Sequence, residues 1–281
     1  MNIKILSDST CDLPKEILTK YDITLVPLTV VKDEKDYKDG VDIAPADIFA
    51  HVSAGGNLCS TSAVSIGEYE TYFEKYSAEY DGVILINLGS GFSSSHQNAL
   101  VAAEDYPNVR CIDSTSLSVA QGLIVLKACE LAKGCEDLDA LAEAIQSYIP
   151  KLEGSFVLDQ LTFLVKGGRC SSVAALGANL LNLKPCIELK EGKLTVGKKY
   201  RGSYEKCLVN YIKDRLADRT DLDSDTLMLV YTVDQPEGNL NAVRQAIAAH
   251  GHFANVIEAT AGCTISCHCG PGTLGIMYLK K

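Results

Sequence analysis

A chain of 281 residues, 47% apolar and 22% charged, can bury one large core or two modest ones and shows no repeat or low-complexity tract. Its formal charge of -10, with 36 acids against 26 bases, argues against nucleic acid as a partner, because a phosphate backbone is held by basic residues. The 11 cysteines, an odd number scattered along the chain, suit reduced core thiols, and the opening M-N-I-K-I-L-S-D-S lacks the apolar core of a signal peptide, so a cytoplasmic protein is expected.

The first half alternates strand and helix. Ile3–Leu6 reads as a short strand, and Asp12-Leu13-Pro14 as a helix start with Asp12 as cap and proline in the first turn. Ile23–Val31 is a second strand candidate and Ala44–Ser53 a helix, followed by the loop G-G-N-L-C-S-T-S. Ser65-Ile66-Gly67-Glu68 matches a capping box before a helix running through Tyr80. Strand 83–87, helix 97–105, strand 109–112 and helix 117–134 follow. The last contains the most apolar long stretch, but Gln121, Lys127 and Glu130 interrupt it, which marks a buried helix and not a membrane span. Such alternation predicts a mostly parallel sheet covered on both faces.

After a helix at 138–148 the rhythm changes. Phe156–Leu158 is a short strand, Lys166-Gly167-Gly168 leads into a helix from about 172 to 183, and Cys186–Lys190 with Lys193–Gly197 reads as a hairpin turning on Glu191-Gly192. Helices at 204–219 and 240–250 and strands at 227–233, 256–259 and 274–279 complete an α+β unit. Pro150 and Gly154 interrupt the pattern, placing the division between residues 1–155 and 156–281.

Several constellations bear on chemistry. Ser7-Asp8-Ser9-Thr10, Ser60-Thr61-Ser62 and L-G-S-G-F-S-S-S-H at 88–96 lie at strand ends or helix starts, where hydroxyls either cap helices or hold an anion. A serine nucleophile at 93–96 is disfavoured, because the stretch does not spell G-x-S-x-G and sequence neighbours on a helix do not face each other. Gly270–Gly275 fits G-x-G-x-x-G but precedes a strand and not a helix, so it is not a dinucleotide fingerprint, and no phosphate-binding G-x-x-x-x-G-K-[ST] occurs. Cys263, Cys267, His268 and Cys269 lack the paired C-x-x-C spacing of structural zinc and, if on a strand, point to opposite faces; buried thiols are expected. Lys166-Gly167-Gly168-Arg169-Cys170-Ser171-Ser172 sets two cations around glycines before a helix start, the outline of an anion site or a solvated loop.

Taken together, S-D-S-T-C-D-L-P near the start, T-S-A-V-S at 61–65, L-G-S-G-F-S-S at 88–94, I-D-S at 112–114, L-V-K-G-G-R-C-S at 164–171, K-Y-R-G at 199–202 and H-C-G-P-G at 268–272 resemble the DegV family over essentially the whole chain. The resemblance implies a two-domain α/β protein, with a parallel-sheet N-terminal domain and an α+β C-terminal domain, that buries a long-chain fatty acid between them. It implies no cofactor and no ATP site of its own: similar proteins are the binding subunit of bacterial fatty acid kinase and present the acyl carboxylate to a separate ATP-binding subunit, which makes acyl phosphate for phospholipid synthesis. By position in the motifs, Thr61 and Ser93 correspond to the family's carboxylate ligands. Ser62, Ser94, Arg169, Arg201 and His268 correspond to supporting residues at the pocket or on a partner-facing surface. Many relatives read T-S-Q-P-S and S-S-x-L-S-G-T where this chain has Ala63-Val64, Gly89 and Ser94-Ser95, which keeps the two hydroxyls but alters the loops around them.

The physics of such a ligand is consistent with these residues. A fatty carboxyl titrates near pKa ~4.3 and arrives ionised, so its burial needs donors. About fifteen methylenes at ~0.8 kcal/mol each offer on the order of 12 kcal/mol gross, before ordering and association costs. The helices at 117–132 and 173–183 are rich enough in Leu, Val and Ala to line a tunnel. The rival readings are a stand-alone esterase or phosphatase, the latter through Asp8, and a carrier of another apolar acid.

Overall fold

The computed structural model describes residues 1–174 and 183–281. Its elements in chain order are β1 (Ile3–Asp8), α1 (Lys15–Lys20), β2 (Thr24–Val26), β3 (Thr29–Lys32), β4 (Lys35–Lys38), α2 (Pro45–Ser53), β5 (Ser60–Ser62), α3 (Ile66–Glu79), β6 (Gly82–Asn87), α4 (Ser95–Ala102), β7 (Val109–Asp113), α5 (Ser118–Leu131) and α6 (Leu138–Gln146). Then follow β8 (Leu152–Leu158), α7 (Thr162–Gly167), α8 (Ser171–Ala174), β9 (Leu183–Lys190), β10 (Lys193–Arg201), α9 (Tyr204–Leu216), β11 (Leu222–Tyr231), α10 (Glu237–His250), β12 (Asn255–Thr260), α11 (Cys263–Cys269) and β13 (Thr273–Lys280).

These strands make a parallel sheet in the order β2-β1-β6-β7, a mixed sheet in the order β10-β9-β8-β13-β11-β12 and a small antiparallel sheet β4-β3-β5. The mixed α/β architecture expected from the alternation of elements is what the chain forms. Three local expectations are corrected. The single strand at 23–31 is two, because Pro27 withholds a ladder donor and the chain turns there from the parallel sheet into the small one. Asp12 is not the cap of α1: Pro14 occupies that position, and Asp12 sits at φ 49° with its carboxylate turned inward. The cysteine-rich stretch at 263–269 is a helix and not a strand. Most of the helix expected at 172–183 lies outside the described residues.

Alternation along the strands of the mixed sheet decides what it packs against. In β13, Leu274, Ile276 and Tyr278 face a core closed by α9 and α10, while Met277 and Leu279 face the opposite way, and β8 and β11 divide in the same manner. The second face joins the core of the parallel sheet. Between the two sheets runs α5, buried from Ser118 through Val125 and at Ala128 and Cys129, so that its lack of a polar stripe is the signature of a helix enclosed on all sides. Among the described residues no helix is long and apolar enough to cross a membrane.

Local signals read from the sequence hold at two turns. Ser65 and Glu68 form the capping box of α3, and the β9–β10 hairpin turns on Glu191 and Gly192 at φ 49° and 71°, the paired positive values of a two-residue turn. On the outer side of the mixed sheet, the fully buried Tyr211 hydroxyl donates to the Ser155 carbonyl at 2.6 Å and accepts from the Ile276 amide at 3.0 Å, tying α9 to β8 and β13. Tyr211→Phe strands both partners without water, and chemical denaturation is expected to show a loss of about 2 kcal/mol.

Candidate functional site

The loop after β6 is pinned before it reaches its serines. The Leu88 amide donates to buried Asp8 at 2.6 Å, the Gly89 amide to the Ser116 carbonyl at 2.8 Å, and the Ser90 hydroxyl to Asp113 at 2.5 Å. Ser93 then turns toward the seam between the sheets. Its oxygen lies 3.0 Å from the buried Ser95 hydroxyl and accepts from the Ser95 amide at 3.2 Å. With Ser95 as donor in that pair, the Ser93 proton is free for a ligand.

Thr61 reaches the same place from β5, the edge strand that pairs with β3 through Val30. Its Oγ1 lies 2.8 Å from Nε2 of His268, delivered from the opposite direction by α11. The close fit depends on Gly167, where a Cβ would come within 2.5 Å of His268 Nδ1. Burial, reinforced by the Arg169 charge, lowers the His268 pKa to about 4, so the ring is neutral at pH 7. In the tautomer protonated at Nε2 the ring donates to Thr61, whose own proton then points to a third group. Among the described residues Nδ1 is buried without a partner, as is the Thr264 hydroxyl one turn earlier on α11.

The helix is held in place by carboxylates from the start of the chain. Asp39 accepts from the amides of Cys263 at 2.9 Å and Thr264 at 3.1 Å, and Asp12 accepts from the Gly262 amide at 2.9 Å and the Ser118 hydroxyl at 2.6 Å. These bonds satisfy first-turn donors that the helix cannot satisfy itself. Burial pushes the Asp12 carboxyl well above the usual range, against the pull of Ser118 and Gly262, and it raises Asp8 as well.

Thr61, Ser62, Ser93, Arg169, Thr264 and His268 border one pocket, with about 550 Å³ of space between its atoms and part of it open to solvent. Its remaining wall is Leu28, Ala63, Leu88, Phe92, Leu117, Leu164, Leu194, Ile265 and Cys269, almost wholly apolar. Arg169 stands exposed at the rim and donates to the Gly167 carbonyl at 2.8 Å. Leu117, Ile265 and Cys269 also border a second apolar space, whose lining includes Phe156, Val230 and Met277 of the mixed sheet. The hydroxyls therefore stand beside a largely apolar wall.

Two of the residues singled out by sequence lie elsewhere: Ser94 is exposed at the start of α4, and Arg201 is exposed at the end of β10, and neither borders the pocket. Conversely, Thr264 and the apolar wall carried no sequence signal, since single leucines from distant elements look like any core residue. The adjacent Ser and His at 93–96 do not pair: His96 Nδ1 sits 3.2 Å from Asn87. Gly270 and Gly272 take positive φ in the tight turn from α11 to β13, which accounts for a glycine pattern without a nucleotide fold. Among the described residues no group of three metal-ligating side chains is placed to share an ion.

These features define an α/β protein of two packed sheets with a pocket that is polar at its mouth and apolar in depth. The model for the family described as "Uncharacterised protein, DegV family" matches residues 2–281, and the chain belongs to that family. It is 31% identical over 283 residues to a DegV domain-containing protein of Caldanaerobacter subterraneus subsp. tengcongensis, with 99% of each chain covered. It is also 31% identical over 281 residues to one of Clostridium acetobutylicum, again over 99% of each. Among solved structures, it is similar to a DegV family protein of Thermus thermophilus described for its fatty acid binding, with a TM-score of 0.90, 28% identity and 100% of both chains covered. DegV of Bacillus subtilis, described as a fatty acid binding protein, superposes with a TM-score of 0.82 at 26% identity, again over 100% of both.

Because the folded His268 pKa lies near 4 and the unfolded value near 6.5, the unfolded chain binds the extra proton between them. The contribution of this residue is therefore complete above pH 6.5 and declines as pH falls toward 4, by up to about 3 kcal/mol. Urea midpoints measured across that range should fall for the parent protein, with a shallower slope for His268→Gln.

Proposed function

We propose that this protein binds one long-chain fatty acid in the seam between its sheets and presents the carboxylate to a separate ATP-dependent fatty acid kinase subunit, which converts it to acyl phosphate for phospholipid synthesis. The observation that carries the reading is that Thr61 and Ser93, from different elements, border one pocket whose remaining wall is almost wholly apolar, with a second apolar space against Leu117, Ile265 and Cys269. The carboxylate accepts from the Thr61 and Ser93 hydroxyls. His268 backs Thr61, and Ser62 and Arg169 stand at the rim. Residues 1–155 supply the carboxylate-binding loops, and residues 156–281 close over the tail and carry His268. Solved DegV structures described as fatty acid binding proteins, at 26–28% identity to this chain, support the ligand class. Ser94 and Arg201, exposed and outside the pocket, belong in this reading to the surface that meets the kinase. The free thiols throughout the described residues suit the reducing cytoplasm.

The hydrolase readings find no support in the same geometry. Ser93 is hydrogen-bonded to Ser95 and not to an imidazole, so it has no base to take its proton. Asp8 is fully buried, and its oxygens already accept from Leu88, Thr10 and Gln121, which leaves no face for a phosphoryl group.

A hydrogen bond to a charged group is worth about 1.5–3 kcal/mol, so Thr61→Ala and Ser93→Ala should each weaken fatty acid binding by roughly 10- to 150-fold with little change in unfolding midpoint. Titration with a fluorescent long-chain fatty acid measures this, and unchanged affinity in both variants rejects the assignment. Mass spectrometry of a denatured extract of the purified protein should find stoichiometric fatty acid, and an extract dominated by another apolar acid replaces the ligand. Acyl phosphate formation should require an added kinase subunit and ATP; turnover of acyl esters or phosphates by the isolated chain overturns the presenting role.

A further inference from the structure

Behind the pocket mouth lie two cysteines, each next to one of the residues that meet there. Cys59 is two residues before Thr61, and Cys267 immediately precedes His268. The elements that carry them pack on each other, and both thiols sit in a small apolar cluster with Val30, Ile43 and Ile48. Cys59 is 8% exposed and Cys267 3%, while Asn57 and Ser60 on either side of Cys59 are exposed, so a small solute needs to travel only a short way to reach the first sulfur. Cys263, one helical turn earlier and in the same cluster, commits its thiol to the Ile43 carbonyl at 3.1 Å, which singles out Cys267 as the partner of Cys59.

This pairing is asymmetric. The neighbouring Cys267, opposed by burial and helped by Lys32, lowers the Cys59 thiol, whereas Cys59 together with burial raises Cys267. Cys59, the more exposed of the two, is the sulfur that a peroxide reaches first, and Cys267 is the thiol that resolves the product.

We propose that Cys59 and Cys267 form a peroxide-sensitive thiol pair whose disulfide resets the contact between Thr61 and His268. The Cys59 thiolate attacks one oxygen of the peroxide; the O–O bond breaks, hydroxide leaves and takes a proton to become water, and Cys59 becomes a sulfenic acid. Cys267 then gives up its proton and attacks the Cys59 sulfur, forming the S–S bond as the sulfenic oxygen departs as water. Two thiols are oxidised and one peroxide is reduced to two waters. The disulfide needs its sulfur atoms about 2.05 Å apart, closer than any thiol hydrogen bond, so its formation draws the strand that carries Thr61 onto the helix that carries His268. Formation of the disulfide does not depend on the identity of what the pocket holds, and the mass, mapping and NMR readouts need no added ligand.

The test treats the full chain with a stoichiometric amount of hydrogen peroxide, followed by intact-mass measurement, peptide mapping after thiol blocking, and NMR of the histidine side chains. A loss of two hydrogens is expected, with a peptide joining Cys59 to Cys267. The imidazole signal identified as His268 by its absence in His268→Gln should shift on oxidation and return on treatment with dithiothreitol. In Cys59→Ala and Cys267→Ala the cross-linked peptide should be absent and the His268 signal should not respond to peroxide. Two variants on separate elements guard against loss of folding in either one. The proposal is overturned if both thiols remain open to alkylation after peroxide, if Cys59 is joined to Cys263 instead, or if the cross-link forms and the His268 signal stays in place.

Discussion

Two buried carboxylates near the start of the chain hold the first amides of a helix near its end. Asp12 accepts from Gly262 across 250 residues of sequence, and Asp39 from Cys263 across 224. A helix with its first amides bonded in this way cannot slide or rotate freely, and its other end carries His268 to within 2.8 Å of Thr61. The mouth of the pocket is thus assembled by polar bonds between distant parts of the chain. Most of those bonds are buried, where a partner lost is costly and a partner kept is geometrically exacting. Asp12 shows what such a position requires: burial favours its protonation, and its oxygens are spent on the Gly262 amide and the Ser118 hydroxyl.

The interior of the pocket obeys a different constraint. A sheet with one polar face would have let water into the seam; here both faces of β8, β11 and β13 are apolar, and α5 fills the space between the sheets. Side chains from both halves of the fold and from α11 supply the apolar wall of the pocket. An apolar wall with uncharged donors beside it suits an amphiphile better than a compact polar metabolite, because the tail loses water while the head keeps hydrogen bonds. A neutral His268 fits the same logic. A protonated ring beside Arg169 would place two cations at the rim, and burial removes that charge at pH 7.

The cluster of Cys59, Cys263 and Cys267 is built from α11 and the residue that leads into β5, so it and the polar contact between Thr61 and His268 depend on the same strand and helix. Movement of either element is felt at both.

How much of this was legible in the residues themselves differs by level. Apolar alternation and capping signals determined the α/β class, the position of most strands, the capping box at Ser65 and the hairpin at Glu191-Gly192, because these depend on interactions within a few residues. The pattern of serines and threonines marked loops that could hold an anion, and the family resemblance singled out Thr61 and Ser93 within them. Only the tertiary structure decided that these two hydroxyls share one pocket, that Ser94 and Arg201 do not border it, and that Asp12 serves a helix 250 residues away instead of its neighbour. The same holds for α11: Cys263–Cys269 carries few helix formers and no capping side chain of its own, and it is helical because Asp12 and Asp39 supply the missing acceptors from outside. Contacts made across such distances leave no periodicity in the sequence, which is why the elements could be read from it and their convergence could not.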